Sequence, residues 1–255
     1  MSVWFGYDRT TPAMLARGEY GARVGVPRVL ALLQAHGIKA TFFTPGHTIE
    51  SFPEAVDAIL NAGHELAHHS YAHQDPSQQS LDAERADMAR AWACLQKIGV
   101  TPLGFRSPSA DFSANTLNLI EEFGFVYDSS LMAEDVTPYH PRIGDVVSAQ
   151  QPLQRGREAR VWEIPMSFEL DDWPHFQFNF SPYRVGLSAT SKVQEIWCEE
   201  FDFMPVGGVL TVAMHPQVIG RNSRIAMLDR FIQHCAAGGA RFMRMMDVAA
   251  ALGKL

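Results

Sequence analysis

The chain has 255 residues, 47% of them hydrophobic and 19% charged, with a formal net charge of −7. That balance belongs to a globular protein, and the absence of a Lys/Arg block argues against nucleic acid or an anionic membrane as partner. Three scattered cysteines, Cys94, Cys198 and Cys235, form no CxxC pair and predict reduced thiols rather than a disulfide framework.

The opening "MSVWFGYDRT" has neither a basic n-region nor an apolar h-region, so it does not read as a signal peptide. No apolar run approaches the length of a membrane span. The expected location is the cytoplasm. Residues 26–36, "VPRVLALLQAH", have helical apolar spacing and stop at Gly37. "KATFFT" (39–44) is short, aromatic and strand-like. Ser51 with Glu54 three residues on predicts a capping box for a helix closing at Gly63. "HELAH" (64–68) is the next strand, and a helix over about 81–98 ends at Gly99. "LGFRS" (103–107) predicts a strand, Ser113 caps a helix over 114–123, and "FVYDSS" (125–130) predicts another strand.

Residues 133–160 lack periodicity and carry prolines, which predicts a long irregular excursion. "RVWEIPMSF" (160–168) predicts a strand, followed by the loop "ELDDWPHFQFNFSPY" and a helix over about 189–203. "GVLTVAMHP" (208–216) is a near-continuous apolar strand, as expected when both faces are buried. A helix over 222–237, a strand at 240–245 and a helix over 246–252 complete the chain. The result is about seven strands, each followed by a helix or long loop, which implies parallel strands covered by helices in one domain, residues 1–255. No GxGxxG or Walker pattern follows a strand, which weakens a nucleotide-binding reading. The candidate chemical residues fall at the C-terminal ends of four different strands, His69 and His73 after 64–68, Arg106 in 103–107, Asp172 after 160–168 and His215 after 208–214, which favours a TIM-like barrel over an open sheet.

Residues 63–76, "GHELAHHSYAHQDP", hold four of the ten histidines. His69 and His73 are spaced i, i+4, which on a helical turn lets both imidazoles grip one ion; such pairs also occur as surface decoration. His68 and His73, five apart, would point differently. His215 suits a general acid or base, or a satisfied core histidine. Arg106 in "FRSPS" requires a carboxylate partner or water, and a structural ion pair would satisfy it equally. Asp172 followed by Trp173 couples a carboxylate to an aromatic wall, or forms a surface turn. Taken together the set fits amide hydrolysis, with a histidine-held metal polarising the carbonyl and His215 protonating the leaving nitrogen. Arg106 and Asp172 would orient the base and the acid.

On these motifs the chain resembles the polysaccharide deacetylase family, also called the NodB-homology family of carbohydrate esterases. His69-Ser70-Tyr71-Ala72-His73 resembles the family's H-S/T-x-x-H motif, and Arg106-Ser107-Pro108 its Arg–Pro loop. Asp172-Trp173 resembles its Asp-Trp motif, with Glu169 where the family often has another aspartate. Leu210 through His215 resembles its Leu-x-x-x-x-His strand. Residues 127–145 and 215–225 look like the cytoplasmic subgroup of peptidoglycan-deacetylase-like, allantoinase-like and cyclic imide hydrolase proteins.

The resemblance implies a distorted (β/α) barrel, homo-oligomers such as a dimer or tetramer, and a divalent metal, commonly zinc, on His69 and His73. It implies a sugar or small-molecule substrate, with Trp173, Pro108 and Leu210 facing it. The family's first motif, a strand ending in paired aspartates that supply the base and a third metal ligand, has no counterpart before Trp4–Phe5–Gly6. Asp8, the nearest carboxylate, lies downstream of that place. The expectation is a start that cuts off the first strand, the alternative being a chain without its base. Three functions follow: a deacetylase-like hydrolase of a non-peptide amide, a ring-opening hydrolase of a cyclic amide or imide, or an inactive barrel that binds a ligand.

Overall fold

Five short strands lie side by side in chain order and all run parallel: β1 (Thr41–Thr44), β2 (Glu65–His68), β3 (Gly104–Phe105), β4 (Tyr127–Asp128) and β5 (Trp162–Glu163). This computed structural model describes residues 11–180 and 183–253, with the side chains of residues 179–185 outside the description. One register row crosses the sheet through Thr44, His68, Phe105, Asp128 and Glu163. The hydrogen bonds from Arg106 N to His68 O and from Ser129 N to Phe105 O carry the pairing one residue further. Successive strand residues face opposite sides of a sheet. His69, Arg106 and Ser129 therefore face away from His68, Phe105 and Asp128.

Helices flank this sheet. An N-terminal helix, α1 (Pro12–Tyr20), passes through a π-helical turn at Gly21–Gly25 into α2 (Val26–Ala35), whose Val26, Val29 and Leu33 are buried. The sequence signal for α1 was Pro12 following Thr11, a favourable helix start. Between β1 and β2 stand α3 (Gly46–Ser51) and α4 (Pro53–Asn61), and between β2 and β3 stands α5 (Leu81–Lys97). The Ser80 hydroxyl accepts the Ala83 N–H at the start of α5, with Asp82 and Glu84 in its first turn and Lys97 in its last, all matching the helix dipole. Between β3 and β4 lies α6 (Thr116–Glu122). After β5 come α7 (Asp172–Phe176), α8 (Thr190–Phe203), α9 (Pro216–Ile219), α10 (Asn222–Ala237) and α11 (Met245–Leu252). Trp197, Phe231, Met227 and Ile219 join α8, α9 and α10 in one apolar cluster with Leu170 and Phe176.

Several expectations change. The sheet has five strands among the described residues, against about seven expected. Residues 208–214 form no ladder. Their backbone bonds to the loops at Val136 and Leu170, leaving one parallel bridge between Asp171 and Ala213. Residues 240–244 form no strand either: the Ala240 N–H closes the end of α10 on Cys235 O, and α11 begins immediately after, its Met245 N–H reaching the Thr41 hydroxyl instead of a strand backbone.

Ser51 is the last residue of α3, with its hydroxyl bonded back to His47 O, and α4 starts from Phe52 with Pro53 in its first turn, so no Ser51/Glu54 box forms. Ser113 sets the turn before α6, accepting Asn115 N–H, while Asn115 is the cap residue. The irregular excursion contains antiparallel pairs, Arg142–Ile143 with Arg157–Glu158 and Val146–Ser148 with Gln151–Gln154.

The π-helical turn approaches α9 at backbone distance. A Cβ on Gly25 would sit 2.1 Å from Pro216 O, and Pro216 follows His215 directly. Gly25→Ala is expected to destabilise the fold by at least about 1–3 kcal/mol, read as a lower unfolding midpoint. The same substitution at the open Gly37 turn, where a Cβ meets nothing within 4 Å, is limited to the strain of its φ of +67°. Equal midpoints for Gly25→Ala and wild type would remove the contact from the argument.

Candidate active site

Because the strands are parallel, their C-terminal ends open on one edge of the sheet, and the predicted chemical residues collect there. His69 follows β2, Arg106 follows β3 and Ser129 follows β4; Asp172 and His215 follow the Asp171–Ala213 bridge. The described fold thus brings these residues to the C-terminal edge, the face at which α/β sites are built.

His69 and His73 sit in the loop after β2, which is not helical. Ser70 and His73 take positive φ values of 58° and 56°, so the i, i+4 spacing works through a left-handed loop and not through a helical turn. The rings meet edge to face at 4.8 Å between centroids. The Tyr71 and Ala72 N–H groups donate to Asp87 of α5, and Gly46 and His47 N–H donate to Ser70 and Tyr71 carbonyls. These bonds pin the loop from both sides. Two more positive-φ residues, Ser109 at 57° and Ala110 at 55°, lie in the loop after Arg106. All four positive-φ non-glycine residues among those described thus border this edge, where backbone strain is commonly retained for function.

The His69 Nδ1 lies 2.7 Å from Arg106 O. That carbonyl can only accept, so Nδ1 carries the proton and Nε2 keeps a free lone pair. Burial holds the His69 pKa well below its ordinary value, with His73 adding to the effect, and burial lowers that of His73 to about 4. Both imidazoles are neutral at pH 7, the form that ligates a metal. Their donor chemistry fits a divalent ion. Among the described residues no carboxylate joins them in a three-donor cluster. Asp8, the nearest N-terminal carboxylate in sequence, lies outside the described residues, as does the place of the family's first strand.

His68 takes another course. It is fully buried, with Nε2 3.1 Å from Met88 O and Nδ1 accepting the Ser70 N–H, and it packs on Phe105 and Phe125. It is a core histidine on the opposite face of the strand from His69.

His215 Nδ1 lies 2.7 Å from Asp172 Oδ1 and 3.6 Å from Asp171 Oδ1. The His215 backbone N–H also donates to both Asp172 oxygens at 3.1 Å. Asp172 is completely buried. These three residues form a compact donor cluster, but the carboxylate of Asp172 is already committed to His215, an arrangement that orients an imidazole. Burial opposes charge on His215, but Asp171 and Asp172 outweigh it and raise its pKa above 6.5. Burial raises that of Asp172; the donors it accepts favour the imidazolium–carboxylate form of the pair.

Asp171 was not expected at the site. Its signal was its place just before a short helix, whose Trp173 N–H its side chain accepts at 2.8 Å. Glu169, the position the resemblance offered, is exposed.

Arg106 donates from Nε to Ser129 O at 2.6 Å and from a terminal nitrogen to the Ser129 hydroxyl at 2.7 Å, and lies over the Phe43 ring at 4.5 Å. Burial lowers its pKa, with Asp171 and Asp128 the leading opposing charges. Among the described residues it forms no ion pair within 4 Å. His69 touches the His73 ring and the Arg106 carbonyl, and the charges of His73, Arg106 and His215 all act against its protonation.

Trp173, half-buried on α7, holds its ring 5.0 Å from that of His215. Pro108 is buried at the start of the turn after Arg106. Leu210 packs, half-buried, on the cluster of Trp197 and Phe231. None of the described helices is long and apolar enough to cross a membrane.

Residues 17–127 match the polysaccharide deacetylase family model. The chain is 32% identical over 264 residues to the peptidoglycan deacetylase of Helicobacter pylori, covering 96% of this chain and 90% of that protein. A solved structure from Mycobacterium smegmatis, assigned to the polysaccharide deacetylases, matches with a TM-score of 0.85 at 33% identity, over 98% of this chain and 86% of that one. PuuE allantoinase matches with a TM-score of 0.75 at 27% identity, over 95% of this chain and 76% of that one.

Proposed function

This chain belongs to the polysaccharide deacetylase family, a family of carbon–nitrogen hydrolases acting on non-peptide amides, and we propose that it removes the acetyl group from an N-acetylated sugar in a metal-dependent reaction. The observation that carries this reading is the hydrogen-bonded Asp172–His215 pair, together with two neutral histidines, His69 and His73, at the same strand-end edge. A divalent ion on His69 and His73 would supply Lewis acidity toward the acetamide carbonyl.

Hydrolysis adds a water oxygen to the acetamide carbon, which leaves as acetate as the C–N bond breaks. With Nδ1 held by Asp172, the His215 Nε2 is free to hand a proton to the leaving nitrogen, which then departs as an amine instead of an amide anion. Arg106, fixed by two bonds to Ser129, keeps a positive charge within electrostatic reach of Asp171. The Trp173 ring beside His215 gives the sugar a flat apolar wall. Zinc as the ion, a homo-oligomeric state and a cytoplasmic site of action belong to the same proposal.

The likeness to PuuE allantoinase supports a second reading, ring opening of a small cyclic amide or imide at the same residues. Parallel assays separate the two. Acetate release from N-acetylglucosamine oligomers or peptidoglycan, matched by new free amine, is expected under the first reading. Ring opening of allantoin, hydantoin or succinimide without acetate release sinks it in favour of the second. Turnover of neither class by metal-loaded protein leaves a barrel that binds without catalysing.

A further inference from the structure

Behind Arg106, on the opposite face of the sheet, two carboxyl groups face each other with too few donors. Asp128 and Glu163 are register partners on β4 and β5, and both are completely buried. Glu163 Oε1 accepts the Ser130 and Leu131 N–H groups at 2.8 and 2.9 Å, and Asp128 Oδ1 accepts the Ser130 hydroxyl at 2.9 Å. The other oxygens, Asp128 Oδ2 and Glu163 Oε2, meet no donor. Two adjacent buried carboxylates, each with an oxygen lacking a donor, would cost several kcal/mol of uncompensated charge. A single proton resolves both: one carboxyl donates to the other, and the pair keeps one negative charge.

We propose that Asp128 and Glu163 share one proton as an acid–carboxylate dyad, and that this dyad positions Arg106 for catalysis. The connection runs through the turn the two residues grip. Ser129 takes both side-chain bonds of Arg106, and the Ser130 hydroxyl, bound to Asp128, accepts the Ser107 N–H at 2.8 Å. The dyad therefore fixes the guanidinium through Ser129 and the backbone after Arg106 through Ser130. Its remaining charge balances that of Arg106, the leading charge of opposite sign acting on Asp128. Tyr139 also faces the pair, with its backbone N–H on Glu163 O at 2.7 Å; burial raises its pKa to about 12 and it stays neutral. Burial likewise holds Glu163 well above the usual carboxylate range, with Asp128 adding to the effect, which makes Glu163 the better holder of the proton.

The proton count stands apart from the hydrolase reading; the positioning role rests on that reading. The first is tested in the resting protein by infrared spectroscopy at pH 7. A carbonyl stretch of a protonated, buried carboxylic acid is expected, absent from Glu163→Gln. No such band in the wild type overturns the shared proton whatever the activity.

The second is tested by kinetics. The glutamine amide of Glu163→Gln can accept the two backbone N–H groups and donate to Asp128, so kcat is expected to stay within about threefold of wild type. Glu163→Ala, which leaves those N–H groups without an acceptor, and Asp128→Asn/Glu163→Gln, which removes the charge opposite Arg106, are expected to lower kcat about tenfold or more with KM little changed. Equal kcat loss in Glu163→Gln and Glu163→Ala, or full activity of the double variant, overturns the positioning role. Should Glu163→Ala fail to fold, the two amide variants still decide the question.

Discussion

Replacing His69 with alanine is expected to abolish binding of the proposed divalent ion, whereas His68→Ala is expected to leave most of the ion bound and lower the melting temperature instead. The two histidines are neighbours in sequence and opposites in structure. His69 projects from the end of β2 toward His73, with its Nδ1 proton engaged by Arg106 O and Nε2 available. Loss of an outer partner of a metal-binding histidine costs about 10–100-fold in affinity, and loss of the ligand itself costs more. His68 is packed between Phe105 and Phe125, bridging Met88 O and the Ser70 N–H. Its removal leaves a cavity and two buried polar groups without partners, for a loss of about 2–4 kcal/mol. Elemental analysis of the purified variants gives the metal content, and thermal unfolding gives the stability. Equal metal loss in both variants would show that the strand register places the wrong histidine at the site. His73→Ala should behave like His69→Ala, without the stability penalty of His68→Ala, because His73 is half-buried in the loop.

Much of this site was legible in the sequence, for a reason the sheet makes plain. Parallel strands put the residues that follow them on one edge, so residues scattered from 69 to 215 could be grouped once the strands were recognised. The spacing to His73, four residues from His69 and five from His68, then separated His68 from His69. Where the pattern misled, tertiary contacts had replaced a local rule. The apolar run 208–214 has the composition of a buried strand, but its backbone bonds to the loops at 136 and 170. Ser51 and Glu54 have capping-box spacing, but Pro53 fixes the start of α4 one residue later than that box requires. The His69/His73 pair was read through helical geometry, whereas Ser70 and His73 carry positive φ, a conformation that propensity disfavours and that Asp87 helps to hold from 14 residues beyond His73. Asp128 and Glu163 gave no signal, because nothing local in "VYDSS" or "VWEIP" says that the two carboxyls become cross-strand partners.

The other large effect concerns His215. Asp172→Asn should move the alkaline limb of the pH–rate profile to lower pH, and His215→Ala should lower kcat by about 10²–10⁴-fold while leaving the metal bound. The sign follows from the charges around the imidazole. Burial alone would depress the His215 pKa, but Asp171 and Asp172 raise it above 6.5. The protonated form, the one able to protonate a leaving nitrogen, thus persists above the ordinary histidine range, and the rate should fall as pH rises through this elevated value. The same shift contributes folding stability that is fully present below pH 6.5 and is lost as pH rises through the folded-state pKa. Asparagine at position 172 can still accept from His215 Nδ1 but brings no charge. Burial then meets only Asp171 as its opponent, at 3.6 Å, and the pKa must drop. Profiles of kcat and kcat/KM against pH for wild type and Asp172→Asn, at saturating metal, measure the displacement. An alkaline limb unmoved by Asp172→Asn would assign that limb to another group and remove His215 from the role of acid.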